Sequence, residues 1–241
     1  MNVCISYDDK FETLANLACS ELTKSNNIIH MNKIINDKSY KDGFGSDTWY
    51  NSIRNKIEFS KKIFDSLENE QCVCVSDSDV YYINSQTIYD LESYMQINFL
   101  DFLFPLENLN DQSRGINSGF FIVKKSEYTI NFFNDILSEN FTNFRYADQD
   151  IINNYLKQAL VKYDFLDPKC YVMACYMHSI ADYIKENLVL LHATCANNFW
   201  EKIGQIVSFN SKFKLPLIKW LDNSIDNTKV KYYINGSIIN A

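Results

Sequence analysis

Asp77 and Asp79 stand one residue apart, directly after the apolar run Cys72-Val-Cys-Val-Ser76. Such a run reads as a short strand buried on both faces, as in a parallel sheet. In open α/β sheets, ligands bind just beyond the carboxyl ends of the strands. Two carboxylates this close repel each other; a divalent cation removes the repulsion and can bridge to a diphosphate. Surface loops produce Asp-x-Asp by chance, so position after a buried strand is what makes this pair a metal and phosphate anchor.

Three further groups have the right chemistry. Asn117-Ser118-Gly119 feeds the apolar run Phe120-Phe-Ile-Val123. Gly119 there either relaxes a tight turn or lets backbone approach a ligand while Asn117 hydrogen-bonds a sugar hydroxyl. Ala147-Asp148-Gln149-Asp150 opens a helical segment; one acid suffices as an N-cap, which leaves polar groups over. His192, one of three histidines, closes the run Leu188-Val-Leu-Leu191. It is either a rim imidazole with a satisfied hydrogen bond or a metal ligand beside Asp77 and Asp79.

The elements that must position these residues follow an α/β pattern, in which short apolar runs alternate with helical periodicity. Asn2 to Ser6 is a first strand, and Phe11, Leu14, Leu17, Ala18 and Leu22 share one helix face. Ile28 to Met31 is a second strand. A helix over about Trp49 to Leu67, capped by Asp47 or Thr48, turns Ile53, Ile57, Ser60, Ile63, Phe64 and Leu67 inward. Beyond the acid pair come a helix near Gln86 to Met95, an extended stretch near Phe99 to Phe104, and a polar loop through Arg114. The strand-like Asn117 to Val123 is followed by helices over Tyr128 to Leu137 and Asp148 to Leu160, and by a late strand at Leu188 to Leu191. Residues 1–209 are expected to form one domain, with 210–241 as a peripheral extension.

Composition narrows the function. The 241 residues are 46% hydrophobic and 22% charged, with a net charge of −7 and no basic run, which argues against a nucleic-acid partner. No apolar stretch is long enough to cross a bilayer, and the N-terminus lacks the look of a secretory leader, so a cytoplasmic location is expected. The seven cysteines are scattered and odd in number. Cys170, Cys175 and His178 lack the paired spacing of structural zinc, so buried reduced thiols are the reading.

The order of the motifs matters more than each alone. Asp77-Ser78-Asp79, then Asn117-Ser118-Gly119, then Asp148-Gln149 with Asn153, then His192 with Lys202, resembles the retaining-type nucleotide-diphospho-sugar transferases over about Lys56 to Lys202. The resemblance implies a GT-A fold, Rossmann-like, with a mostly parallel central sheet flanked by helices. It also implies Mn²⁺ (or Mg²⁺) held by Asp77, Asp79 and His192, and a nucleoside-diphosphate sugar as donor. Asn117, Asp148 and Gln149 become the sugar-side catalytic set. Tyr7, Lys56, Asp77, Ser78, Gly119 and Lys202 become donor-binding residues, with Arg54 and Lys61 as rivals to Lys56. Many such proteins follow the late His with Gly, where this chain has Thr194-Cys195-Ala196-Asn197.

The expected reaction is glycosyl transfer to an acceptor hydroxyl on a glycan, protein or small molecule. An inverting enzyme would need a carboxylate base facing the acceptor, for which Asp148 and Asp150 are available. The 105–115 loop and the tail after Asn210 are the candidate acceptor elements. The main alternative is a non-catalytic sugar- or nucleotide-binding protein of the same fold. A sugar-phosphate nucleotidylyltransferase would want a glycine-rich, basic N-terminal loop, and residues 2–12 hold no Gly. A phosphatase of the Asp-x-Asp-x-Thr/Val type would want Thr or Val where Tyr81 stands. Six glycines and no Gly-x-Gly-x-x-Gly set a dinucleotide oxidoreductase aside.

Overall fold

Apolar runs too short for helices become strands, and the amphipathic stretches between them become the helices that cover those strands. The computed structural model describes residues 1–35, 44–83, 86–107, 114–167, 171–173, 190–194, 201–206, 231–234 and 237–240. In chain order these hold β1 (Asn2–Tyr7), α1 (Glu12–Leu22), β2 (Ile28–Lys33), α2 (Asp47–Ser66), β3 (Cys72–Asp77), β4 (Val80–Tyr82) and α3 (Gln86–Ile97). There follow β5 (Phe102–Phe104), β6 (Phe120–Lys124), α4 (Phe132–Ser138), α5 (Asp148–Gln158), β7 (Tyr163–Phe165), β8 (Tyr171–Met173) and β9 (Leu190–His192). The last pair is the antiparallel hairpin of β10 (Lys231–Ile234) and β11 (Ser237–Asn240).

Six strands form the central sheet in the order β2-β1-β3-β6-β5-β7. All run parallel except β6, which is antiparallel to both β3 and β5. Because side chains alternate along a strand, each central strand feeds two cores. Val3, Ile5, Cys72, Cys74, Phe120 and Ile122 join Ala15 and Ala18 of α1 and Ile88 and Met95 of α3 on one face. Cys4, Val73, Val75, Phe121 and Val123 meet Ile57 and Phe64 of α2 and the residues of α4 and α5 on the other. Cys72 and Cys74 thus share a face, as their spacing requires.

A second sheet, ordered β4-β9-β8, grows from the carboxyl end of β3. The chain leaves β3 at Asp77 and turns through Ser78 and Asp79 into β4, which pairs antiparallel with β9 so that Val80 faces His192. Ala193 N–H donates to the Asp79 carbonyl at 3.0 Å and closes the junction. The late histidine is thereby brought to the acid pair by backbone pairing.

Several boundaries differ from the sequence expectation. Ser46, rather than Asp47 or Thr48, caps α2, its Oγ accepting from Trp49 N–H at 3.2 Å. The helix expected from Tyr128 begins at Phe132, because the Thr129 hydroxyl donates to the Lys124 carbonyl at 2.6 Å and holds a turn there. Strands β4, β7, β8, β10 and β11 were not anticipated. Residues 210–230 of the expected extension lie outside the described residues. Among the described residues, no helix is long and apolar enough to cross a membrane.

Candidate active site

The carboxylates of Asp77 and Asp79 are each divided between a lysine and the histidine. Asp77 Oδ1 accepts from Lys56 Nζ at 2.9 Å, while its Oδ2 lies 3.8 Å from His192 Nε2. Asp79 Oδ2 pairs with Lys202, while its Oδ1 lies 3.2 Å from His192 Nε2. One ligand atom from each of the three residues falls within a 4.8 Å cluster, the one such trio among the described residues. Burial works against the charge on Asp79, yet Lys202 and His192 outweigh it and hold the carboxyl well below its ordinary range.

The far side of the imidazole is also held. The Tyr171 hydroxyl lies 2.7 Å from His192 Nδ1 and 3.0 Å from Asn117 Oδ1, and Asn117 Oδ1 is itself 3.2 Å from Nδ1. A proton on Nδ1 therefore has two oxygens to receive it. With a cation bound, that tautomer would turn the Nε2 lone pair toward the metal between the two carboxylates; without one, a proton on Nε2 can face Asp79 Oδ1 instead. The donor set, two carboxylates and one imidazole, suits a divalent metal that accepts nitrogen as well as oxygen.

Lys56 reaches this cluster from α2. It is 4% exposed, and its ammonium touches Asp77 Oδ1, Asp148 Oδ2 at 2.8 Å and the Ser118 carbonyl at 3.4 Å. Burial alone would lower its pKa, but the two carboxylates overcome that and raise it. Asp148, 2% exposed, is pushed the other way: burial and the neighbouring Asp77 raise its carboxyl despite Lys56 and the Ser118 hydroxyl, which donates to Oδ1 at 3.0 Å. The rivals of Lys56 are engaged elsewhere: Arg54 with Glu58 and the Leu137 carbonyl, and Lys61 with Asp65.

The Asn117-Ser118-Gly119 turn joins the two halves. Gln149 Oε1 accepts from Ser118 N–H at 3.3 Å and from Asn117 Nδ2 at 3.4 Å, and Asn117 Nδ2 also donates to Glu107 Oε2 at 2.8 Å. Gly119 N–H donates to Asn117 Oδ1, and Asp77 N–H donates to the Gly119 carbonyl at 2.7 Å.

This geometry can be set beside known proteins. The chain matches the nucleotide-diphospho-sugar transferases over residues 4–205. It belongs to that family. No curated protein matches it in sequence. Among solved structures, it is similar to a glycosyltransferase involved in the glycosylation of the major capsid of PBCV-1, at 12% identity and a TM-score of 0.62, covering 86% of this chain and 98% of that one. It is similar to the galactosyltransferase LgtC, at 11% identity and 0.53, covering 93% and 100%. It is also similar to the glycosyltransferase GlyE of Streptococcus pneumoniae, at 16% and 0.51, covering 88% of this chain and 63% of that one. These likenesses establish a GT-A fold, and the family makes the protein a glycosyltransferase.

In this glycosyltransferase Asp77, Ser78, Asp79, Asn117, Gly119, Asp148, Gln149, His192, Lys56 and Lys202 lie in one contiguous region. Lys202, on the helical segment 201–206, also donates to the Ala193 carbonyl at 2.9 Å and lies 5.7 Å from the Phe11 ring. Tyr7 is half-buried at the end of β1, whose register puts its neighbour Ser6 beside Asp77. Gly119 sits in the turn before β6, and the space a side chain would need there is filled by the His192 ring. Neither acid of α5 caps from the N-cap position, which is Ala147 at φ +43°; Asp150 Oδ2 instead reaches back to Tyr146 N–H at 2.9 Å. Cys170, Cys175 and His178, and residues 195–197 after the late histidine, lie outside the described residues. Sequence reasoning missed Tyr171, Ser118 and Glu107. Ser118 sat inside a recognised motif, but Tyr171, one of 16 tyrosines, carried no local signal.

Proposed function

We propose that this glycosyltransferase moves a hexosyl or pentosyl group from a nucleoside-diphosphate sugar to an acceptor hydroxyl, with retention. The acceptor is a glycan, protein or small molecule. Asp77, Asp79 and His192 would hold a divalent cation, Mn²⁺ or Mg²⁺. The observation that carries this reading is the convergence of those three ligand atoms within 4.8 Å at the carboxyl end of a central strand. A cation there supplies Lewis-acid neutralisation of the departing diphosphate.

The protein's own groups have distinct tasks. Lys202 adds positive charge on the Asp79 side, where the diphosphate of the donor belongs, and Tyr7 offers a ring for the base at the adjoining strand end. Lys56 keeps Asp77 and Asp148 from repelling each other and so fixes both carboxylates in place. Asn117 and Ser118 orient the Gln149 amide, and Asn117, Asp148 and Gln149 meet the donor sugar. Positioning of this kind supplies rate by lowering the reorganisation needed in the transition state. Retention is supported by the carboxylates: Asp148 is occupied by Lys56 and Ser118, and Asp150 by Tyr146 N–H, so neither is poised as the base an inverting route needs. A cytoplasmic location fits the free cysteines 4, 19, 72 and 74.

The test is hydrolysis of a panel of UDP- and GDP-sugars, with binding of UDP and GDP, each with and without Mn²⁺, in wild type and Asp79→Ala. Metal-dependent binding or turnover that the variant loses supports the proposal. A folded wild type that neither binds nor turns over any donor overturns it in favour of a non-catalytic protein of the same fold.

A further inference from the structure

The backbone that leads into Asn117 has a second side. Gly115 and Ile116 also line a groove of about 580 Å³ between α5 and the edge strand β7. This wall is built in: Asn153 Oδ1 accepts from Ile116 N–H at 3.1 Å, and Asn153 Nδ2 donates to the Gln149 carbonyl at 3.0 Å. A Cβ at Gly115, where φ is +75°, would sit 2.0 Å from Asn153 Oδ1, so only glycine allows the wall to lie this close. The groove and the Asn117–Gln149 pair are two faces of one rigid unit.

Its charge is the reverse of the chain's. Arg114, Arg145 and Lys157 line it, all exposed, whereas Asp150 is the one acid among the described lining residues and already accepts from Tyr146 N–H. The whole protein carries −7. Arginine forks match carboxylate and phosphate oxygens in pairs, which a neutral hydroxyl cannot exploit. On the sheet side, Tyr163 and Phe165 lie edge to face at 5.8 Å and present the flat apolar surface that a pyranose ring packs on.

From this charge and shape we propose that the groove is an acceptor subsite for a glycan bearing an acidic group, a carboxylate or a phosphate, next to the residue that takes the transferred sugar. The inference rests on the glycosyl-transfer reading for the word acceptor, but the binding itself is measured without a donor. The probes are 4-nitrophenyl β-glucuronide, glucose 6-phosphate and the neutral 4-nitrophenyl β-glucoside, titrated calorimetrically at low salt into wild type, Lys157→Gln and Arg145→Gln/Lys157→Gln. At least one acidic probe should bind tenfold or more tighter than the glucoside, and each substitution should erode that preference. Whether the glucuronide or the phosphate leads identifies the acidic group. Donor hydrolysis should be unchanged in both variants, because neither residue touches the metal cluster. Equal binding of acidic and neutral probes, or a preference that survives the double substitution, overturns the proposal. A wild type that neither binds nor hydrolyses any donor would sink the transferase reading and leave the binding result to stand by itself.

Discussion

Gly119 and His192 fill one another's space: a Cβ at residue 119 would lie 2.0 Å from Cε1 of the imidazole. The two belong to different sheets, Gly119 leading into β6 of the central one and His192 ending β9 of the second. Their contact is therefore one of the points where the sheets dock, and the placing of His192 beside Asp77 and Asp79 depends on it. Gly119→Ala must displace the ring or the strand that carries it, and overpacking of this kind costs about 1–3 kcal/mol. The variant should melt at lower temperature and bind Mn²⁺ at least tenfold more weakly by electron paramagnetic resonance titration. Unchanged Mn²⁺ affinity would show that His192 is not a ligand.

Tyr171→Phe removes a single oxygen, the one that bridges His192 Nδ1 and Asn117 Oδ1. Partners behind a ligating histidine typically contribute about 10–100-fold in metal affinity. The same loss is expected here, with the circular dichroism spectrum unchanged. A control at Tyr94, whose hydroxyl meets Asp164 on the surface, should have no effect on the metal.

Lys56→Met leaves Asp77 and Asp148 facing each other without their shared cation. Breaking a buried pair from one side costs about 3–5 kcal/mol, and urea unfolding should read a loss of that order. Adding Asp148→Asn removes the stranded charge and should restore part of it. Additive losses in that double-variant cycle would mean that the two side chains do not interact.

Burial pushes the Cys4 and Cys72 thiols up to about 12, and Cys74 is raised as well. An unfolded thiol ionises near about 8.5. Between those values the unfolded chain releases protons that the native protein keeps, so stability falls as pH rises from about 8.5 toward 12. The slope is about 1.4 kcal/mol per pH unit for each thiol. Melting curves under reducing conditions should show the decline, and peptide mapping after thiol labelling of the native protein at pH 8 should find these three unmodified.

How much of this was readable beforehand depended on the range of the interactions. β1, α1, α2 and β3 announced themselves because their pattern is local: Cys72 to Ser76 has to be buried, and Ile53, Ile57, Ser60 and Phe64 share a helix face. The acid pair, the Asn-Ser-Gly turn and the late histidine could be named from residue type and order. Their mutual contacts could not, because they depend on β4, three residues long and too short for any periodicity, and on its pairing with β9 far along the chain. Choosing Lys56 over Arg54 and Lys61 needed the resemblance; the helix pattern alone does not say which basic residue turns under the sheet. That Gly119 makes room for the His192 ring could not be read at all, because a glycine's missing side chain does not reveal what occupies its place.

Lys202 and Asp79 meet across 123 positions of chain, and Val80 pairs with His192 over nearly as long a span. Closing so long a loop is entropically costly, and contacts of this range form late. During synthesis β1, β3 and their covering helices can gather before β9 has been made, so an intermediate with a formed central sheet would still be unable to grip a cation. A divalent ion held by Asp77, Asp79 and His192 would then bind the completed fold alone and stabilise the finished protein over every partly folded form that precedes it.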